Sequence, residues 1–158
     1  MAANKLDLAT RVPSSYEKAV WVDIIRSLVM GFPDSRHIVN SIPSDVSLNN
    51  TANYFDGPTV AQGPVGVWFV SGTVTVLDTS GAAAYFAKLW DGTTVVASAR
   101  CDSAAANQVI TISLSGRISS PAGSLRISVR DTSSTSGKIL ANATSNSCDS
   151  TITAYRLA

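Results

Sequence analysis

The pair Asp91-Gly92 constrains this chain more than any other feature. It stands between two apolar runs, AAYFAKLW before it and TTVVASAR after it. An Asp-Gly pair in that setting is a strong short-range signal for a β-hairpin. A type I′ turn needs positive φ at both central residues, which Asp tolerates and Gly adopts freely. The surrounding stretch, Gly66 to Arg100, is dense in Val, Phe, Tyr, Trp and Thr and is broken by Gly, Ser and Asp. β-Branched and aromatic side chains suit a pleated, half-buried surface. The hairpin is therefore the expected seed of an all-β domain.

Further strand signals follow from Pro58 onward. Val65 to Asp78 is long, with Val67 and Phe69 on one face and Val74 and Val76 on the other. A bulge at Ser71-Gly72 would reconcile them, because one extra residue reverses the phase. Val109 to Leu114 places Ile110, Ile112 and Leu114 on one face, and Gly116 and Pro121-Ala122-Gly123 mark turns. Leu125, Ile127 and Val129 alternate with Arg126, Ser128 and Arg130, the pattern of a half-buried strand. Asp131 to Gly137 is a polar loop, and Lys138–Ala143 and Thr151–Leu157 complete the set. Seven or eight strands in roughly a hundred residues predict an antiparallel two-sheet β-sandwich, with jelly-roll topology.

Residues 1–57 carry different signals. Leu6, Leu8 and Val12 alternate with polar neighbours as in an extended arm. Ser14 and Glu17 form a capping box, opening an amphipathic helix over about Ser15–Met30. Tyr16, Val20, Ile24 and Leu28 recur at spacing four, and Trp21, Ile25 and Val29 form the adjacent row. Gly31 ends the helix and Pro33 prevents its resumption. From Phe32 to Gly57 the signals are those of irregular chain, so residues 1–57 are expected to be arm, helix and tether, and residues 58–158 the sandwich. An apolar stripe of this width needs a cover. Leu6, Leu8, Tyr16, Val20, Trp21, Ile24, Ile25 and Leu28 are therefore candidate partner-binding residues. Trp21 is either the anchor of that contact or ordinary core packed under the sandwich.

Composition excludes several functions. Of 158 residues only 15% are charged, and the net charge is +1. Globular chains are usually about a quarter charged, so hydroxyls must supply much of this surface. Near-neutral charge argues against nucleic-acid binding, which needs a basic patch. No run of about eighteen apolar residues spans a membrane, and no signal-like apolar core opens the chain, so synthesis in the cytoplasm is expected. Cys101 and Cys148 form no CxxC and read as two reduced, half-buried thiols rather than a zinc site. His37, in SRHIVN, is the only histidine, and a surface position suits it better than a nucleophilic centre. Asp78, Asp91, Asp102, Asp131 and Asp149 lie in turn-like contexts, where Asp serves local hydrogen bonds. No catalytic, cofactor or metal site is expected. Arg126 and Arg130 project from one face of a strand, either as a solvated surface or as a subunit contact.

Four stretches carry a family likeness: GTVTVLD, AKLWDGTTVVASA, ISLSGRISSPAGSLRISVRD and TSSTSGKI, with STITAYR near the end. Over Tyr54–Leu157 the chain resembles the small β-domains of tailed-phage virion structural proteins: head-decoration and head-fibre proteins and some tail-fibre tips. The resemblance implies a β-sandwich that assembles as a homotrimer, without catalytic residues, in a virion made in the host cytoplasm. A non-enzymatic capsid decoration or head-fibre protein, attached to the phage capsid or another virion protein through its N-terminal region, is the leading expectation. The alternative is a receptor-binding tip of a tail fibre, whose loop 131–137 would meet a host-surface receptor. A glycan hydrolase is disfavoured because no second catalytic group accompanies His37 or any Asp.

Overall fold

A computed structural model describes residues 37–146 and 148–157. The expected arm, the helix and all eight candidate partner-binding residues lie outside the described residues. Ten strands are present among those described: β1 (His37–Ser41), β2 (Val46–Leu48), β3 (Phe55–Val60), β4 (Val67–Asp78), β5 (Ala83–Trp90), β6 (Val95–Ser103), β7 (Ile110–Ser119), β8 (Leu125–Asp131), β9 (Gly137–Leu140) and β10 (Thr151–Arg156).

Their pairing is nested around the Asp91-Gly92 turn. β5 pairs with β6, β4 with β7, β3 with β8 and β1 with β10, all antiparallel. The chain is thus one long antiparallel ribbon, closed at the β5–β6 hairpin and rolled into two sheets. One sheet has the order β1-β10-β4-β7, the other β3-β8-β5-β6. That is jelly-roll topology. β2 and β9 form an added short pair, and β9 takes the edge of β4 where β10 leaves it. At the changeover Thr75 N–H donates to Ser150 Oγ (3.0 Å), whose hydroxyl donates to the Leu140 carbonyl (2.7 Å). No backbone donor is stranded at the join.

The core lies between the sheets and follows strand alternation. Trp68, Val70, Val74, Val76, Ile112, Leu114, Ile118, Ile139, Ile152 and Ala154 fill it from one side. Tyr85, Ala87, Leu89, Leu125, Ile127 and Val129 fill it from the other. The alternation expected for residues 125–130 is what the structure has.

Several expectations need correction. β4 has no bulge: its register with β7 runs unbroken from Val67↔Ser119 to Val76↔Ile110. Trp68 and Val70 hold the inward phase, and Phe69 faces outward. Gly72 marks crowding instead, since a Cβ there would lie 2.8 Å from Ile127 Cδ1 of the facing sheet. Gly116 is likewise mid-strand, where a Cβ would overlap the Val96 side chain. Residues 37–57 are not an irregular tether, because β1, β2 and the start of β3 belong to the sandwich. They are short, and their partners are far away in sequence, with Ser41 opposite Thr151. Nothing local announces them. β3 even contains Pro58, tolerated because the β3–β8 register shifts between Asp56 and Thr59.

The hairpin turn also differs in type. Gly92 has φ 98°, but Asp91 is not among the residues with positive φ. The loop spans four residues, and the buried Asp91 carboxylate organises it. Asp91 Oδ1 accepts the N–H groups of Thr93 (2.8 Å) and Thr94 (2.6 Å), and Oδ2 accepts that of Ala122 (2.8 Å). Burial works against this carboxylate, but the three N–H donors outweigh it and hold the pKa below the usual Asp value.

Candidate functional site

The outer face of the four-stranded sheet alternates rings and cations. On β5, Phe86, Lys88 and Trp90 point outward, directly opposite Arg130, Ser128 and Arg126 of β8. β3 adds Asp56, opposite Ser128, with Tyr54 just before it. β6 adds Arg100, opposite Phe86. Each position follows from strand alternation: Leu125, Ile127 and Val129 point inward, so Arg126 and Arg130 cannot.

These side chains pack on one another. Lys88 Nζ lies 3.3 Å from the Trp90 ring centroid and 4.3 Å from that of Tyr54. The Arg126 guanidinium covers Trp90 at 4.8 Å, and that of Arg130 covers Tyr54 at 5.1 Å and Phe86 at 5.2 Å. Beneath them runs a polar chain. Trp90 Nε1 donates to Ser128 Oγ (2.6 Å), and Ser128 donates to Asp56 Oδ1 (2.5 Å). Asp56 Oδ2 is 3.4 Å from Arg126 Nε, close enough for an ion pair. That nitrogen and Arg130 Nε are both buried without a hydrogen-bond partner among the described residues. Burial, followed by the charges of Arg126 and Arg130, lowers the Lys88 pKa against the pull of Asp56. Arg100 also lies over Phe86, at 5.5 Å, and makes an exposed pair with Asp102 at 2.9 Å. Beside that Arg100–Asp102 pair, Lys88, Arg126 and Arg130 are crowded together with Asp56 as the carboxylate near them.

Arg126 and Arg130 are neither simply solvated nor free of structure, which sequence alone could not tell. The missed members are Lys88, Trp90, Tyr54 and Asp56. The available signal was alternation on β5, which puts Phe86, Lys88 and Trp90 on one face once Tyr85 and Leu89 are assigned inward. Gly92 belongs to this site as well, since a Cβ there would meet Arg126 Nη2 at 2.8 Å.

The outer face of the six-stranded sheet is different in kind. A row crosses it from His37 through Tyr155 and Phe69 to Arg117. His37 is exposed, as expected, and stacks on Tyr155 with centroids 4.4 Å apart. Tyr155 is 43% exposed, Phe69 39% and Val39 55%. Beside them Ser71, Thr73, Ser113, Thr151 and Thr153 line a shallow hollow of ≈ 370 Å³. Apart from Arg117 at the end of that row, small hydroxyl side chains make this surface polar.

The turn aspartates do bond locally, but three of them are buried. Asp78 and Asp131 meet at one end of the core, below Tyr85. Asp78 accepts from the Ser80 N–H and hydroxyl and from the Ser134 hydroxyl, and Asp131 accepts from the Ser133 N–H. Burial opposes ionisation of Asp78, yet Ser134, Ser80 and the hydrogen bond with Asp131 bring its pKa down to about 2. Burial pushes Asp131 up, and Asp78 adds to the push. Asp131 Oδ2 is buried with no donor to it among the described residues. Burial, then the charges of Asp131 and Asp78, raise the Tyr85 phenol as well. This pair closes the loops that carry it. Among the described residues, no three His, Cys, Asp or Glu side chains are placed to hold a metal ion. Cys101 is half-buried, Cys148 is exposed, and both are free.

No family model matches the chain, and no curated protein matches it. Solved structures do. An Eiger TNF from S. frugiperda is 14% identical, with a TM-score of 0.48, over 77% of this chain and 93% of that one. A CBM6 carbohydrate-binding module from Cellvibrio mixtus lichenase 5A, in complex with cellotriose, is 11% identical, with a TM-score of 0.37, over 80% of this chain and 89% of that one. A structure of infectious bursal disease virus, Gt strain, is 13% identical, with a TM-score of 0.27, over 78% of this chain and 38% of that one. At these identities and scores the likenesses carry no functional argument.

Proposed function

We infer that this chain is a non-enzymatic structural protein of a phage virion, a capsid decoration or head-fibre protein. It works as a homotrimer and attaches through its N-terminal region. The observation that carries the reading is the outer face of the six-stranded sheet. Val39, Tyr155 and Phe69 are exposed on neighbouring strands amid small hydroxyl side chains. An apolar patch rimmed by uncharged polar groups marks an association surface. Copies of one chain can pack on the hydroxyl-rich part of this face with few ions to desolvate, and desolvating ions is the expensive part of burying a surface. The sequence likeness to the small β-domains of phage head and tail-fibre proteins supports a place in a virion. The test is to quantify the protein in purified phage particles. A fixed copy number that is a multiple of three supports the reading, and absence from the particle overturns it.

A tail-fibre receptor tip is the second reading. The crowded cations on the outer face of the four-stranded sheet favour it, because Lys88, Arg126 and Arg130 offer positive charge and N–H donors to an anionic group on a host surface.

A further inference from the structure

We propose that the outer face of the four-stranded sheet binds an acidic glycan through Lys88, Arg126 and Arg130. The proposal does not depend on the virion reading, since it concerns the other sheet and a different ligand.

Charge comes first. Arg126 pairs with one carboxylate, Asp56, which Lys88 also feels, Arg130 lies close enough to act on Lys88, and among the described residues no second carboxylate pairs with these three cations. Like charges so placed repel; burial is the main cause of the lowered Lys88 pKa, and the Arg126 and Arg130 charges lower it further against the pull of Asp56. An anionic ligand removes the cost. Arg126 and Arg130 also hold unused hydrogen-bonding capacity, since a guanidinium has five N–H donors in a fork that matches a carboxylate.

Spacing comes second. Arg126 and Arg130 are four residues apart on β8. At roughly 3.3 Å per residue their stems stand about 13 Å apart. A chain with repeating acidic groups spans that distance and can engage both guanidinium groups at once. Lys88 lies between them on the neighbouring strand, opposite Ser128, and offers an intermediate contact.

The rings decide the class of polymer. Proteins that grip single-stranded nucleic acid stack bases on open aromatic faces. Here Trp90, Tyr54 and Phe86 already have cations over them. What the surface presents is N–H donors on a stiff, pre-packed base. That serves carboxylates spaced along a sugar chain, and leaves no platform for bases or for an uncharged sugar.

The experiment is calorimetric titration of the full chain with polygalacturonate oligomers at low and physiological salt. Dextran oligomers and an oligothymidylate of matched length are the comparison ligands. The expected result is saturable binding of polygalacturonate that weakens with salt, with dextran at least tenfold weaker and oligothymidylate also weaker. The double variant Arg126→Gln, Arg130→Gln should lose at least tenfold in affinity. Lys138→Gln, a charge removal on the other sheet, should change affinity less than twofold. Lys88→Gln leaves the Asp56 pair intact, so its expected severalfold loss is readable even where the double variant melts early. Tighter binding of oligothymidylate would replace the proposal with a nucleic-acid surface. Equal binding of dextran, unchanged affinity in Lys88→Gln, or no binding of polygalacturonate would overturn it.

Discussion

Lys88 Nζ stands 3.3 Å from the centroid of the Trp90 ring, two residues along the same strand. Side chains at i and i+2 share a face, so β5 itself sets up this contact. Facing Arg126 covers the same ring from β8.

The pair should be coupled energetically. Half-exposed cation–π contacts are worth about 0.5–1 kcal/mol. A double-mutant cycle of Lys88→Met and Trp90→Leu, read by urea denaturation, should return a coupling of that size. Additive single effects would show that the contact contributes nothing to stability.

The hairpin turn offers a graded test. Gly92→Val places a β-branched residue at φ 98° and drives it against Arg126. Strain of this kind costs about 1–3 kcal/mol. Asp91→Ala should cost more, because it removes three hydrogen bonds at once to a buried carboxylate, from the N–H groups of Thr93, Thr94 and Ala122, and hydrogen bonds to a charged group contribute about 1.5–3 kcal/mol each. Thermal melts of the two variants should rank them in that order. The reverse order would mean that backbone strain, not the Asp91 carboxylate, governs the turn.

Much of this fold was legible in sequence because local pattern and tertiary burial agree. Residues 125–130 alternate cleanly, and the Asp-Gly pair does close the hairpin at the centre of the ribbon. What was hidden depends on distant partners. β1 and β2 have five and three residues and exist by pairing with β10 and β9. Gln62 is another case: its buried amide donates to the Gly123 carbonyl and accepts from Leu125 N–H, and no local signal marks it. The cationic face was half legible, since Arg126 and Arg130 share a face by alternation. Their meeting with Lys88 and Trp90 required knowing that β8 lies beside β5.

Stability should pass through a maximum in acid. The pKa of Asp78 falls from 3.8 to about 2 on folding, so its contribution is present above 3.8 and is lost as pH drops toward 2. Asp131 is raised, so the folded state holds its proton longer than the unfolded chain does. Its contribution is full below the ordinary carboxylate value and is lost as pH rises through the raised one. Melting temperature against pH should therefore rise and then decline. Asp131→Asn, which mimics the protonated carboxyl, should remove the decline on the alkaline side. A decline that persists unchanged in that variant would assign it to another group.

The sandwich should fold without residues 1–35, since Arg36–Ala158 is a compact unit by itself. A chain starting at Arg36 should melt cooperatively near the full-length temperature. Cutting at Tyr54 removes β1, β2 and the buried side chains Ile42 and Leu48. Losing one buried Leu side chain alone costs about 2–5 kcal/mol. The shorter chain should melt far lower or aggregate. Equal melting of the two would place β1 and β2 outside the cooperative unit.

The central claim is a folded module carried on a particle by its N-terminal segment. The most direct measurement is incorporation into phage particles of the full chain, Trp21→Ala and the chain lacking residues 1–35. A central aromatic anchor typically contributes about 2 kcal/mol or more to binding. The full chain should enter particles, Trp21→Ala should enter poorly, and the truncated chain should be absent while keeping its melting temperature. Full incorporation of the truncated chain would contradict the account and move attachment to the sandwich itself.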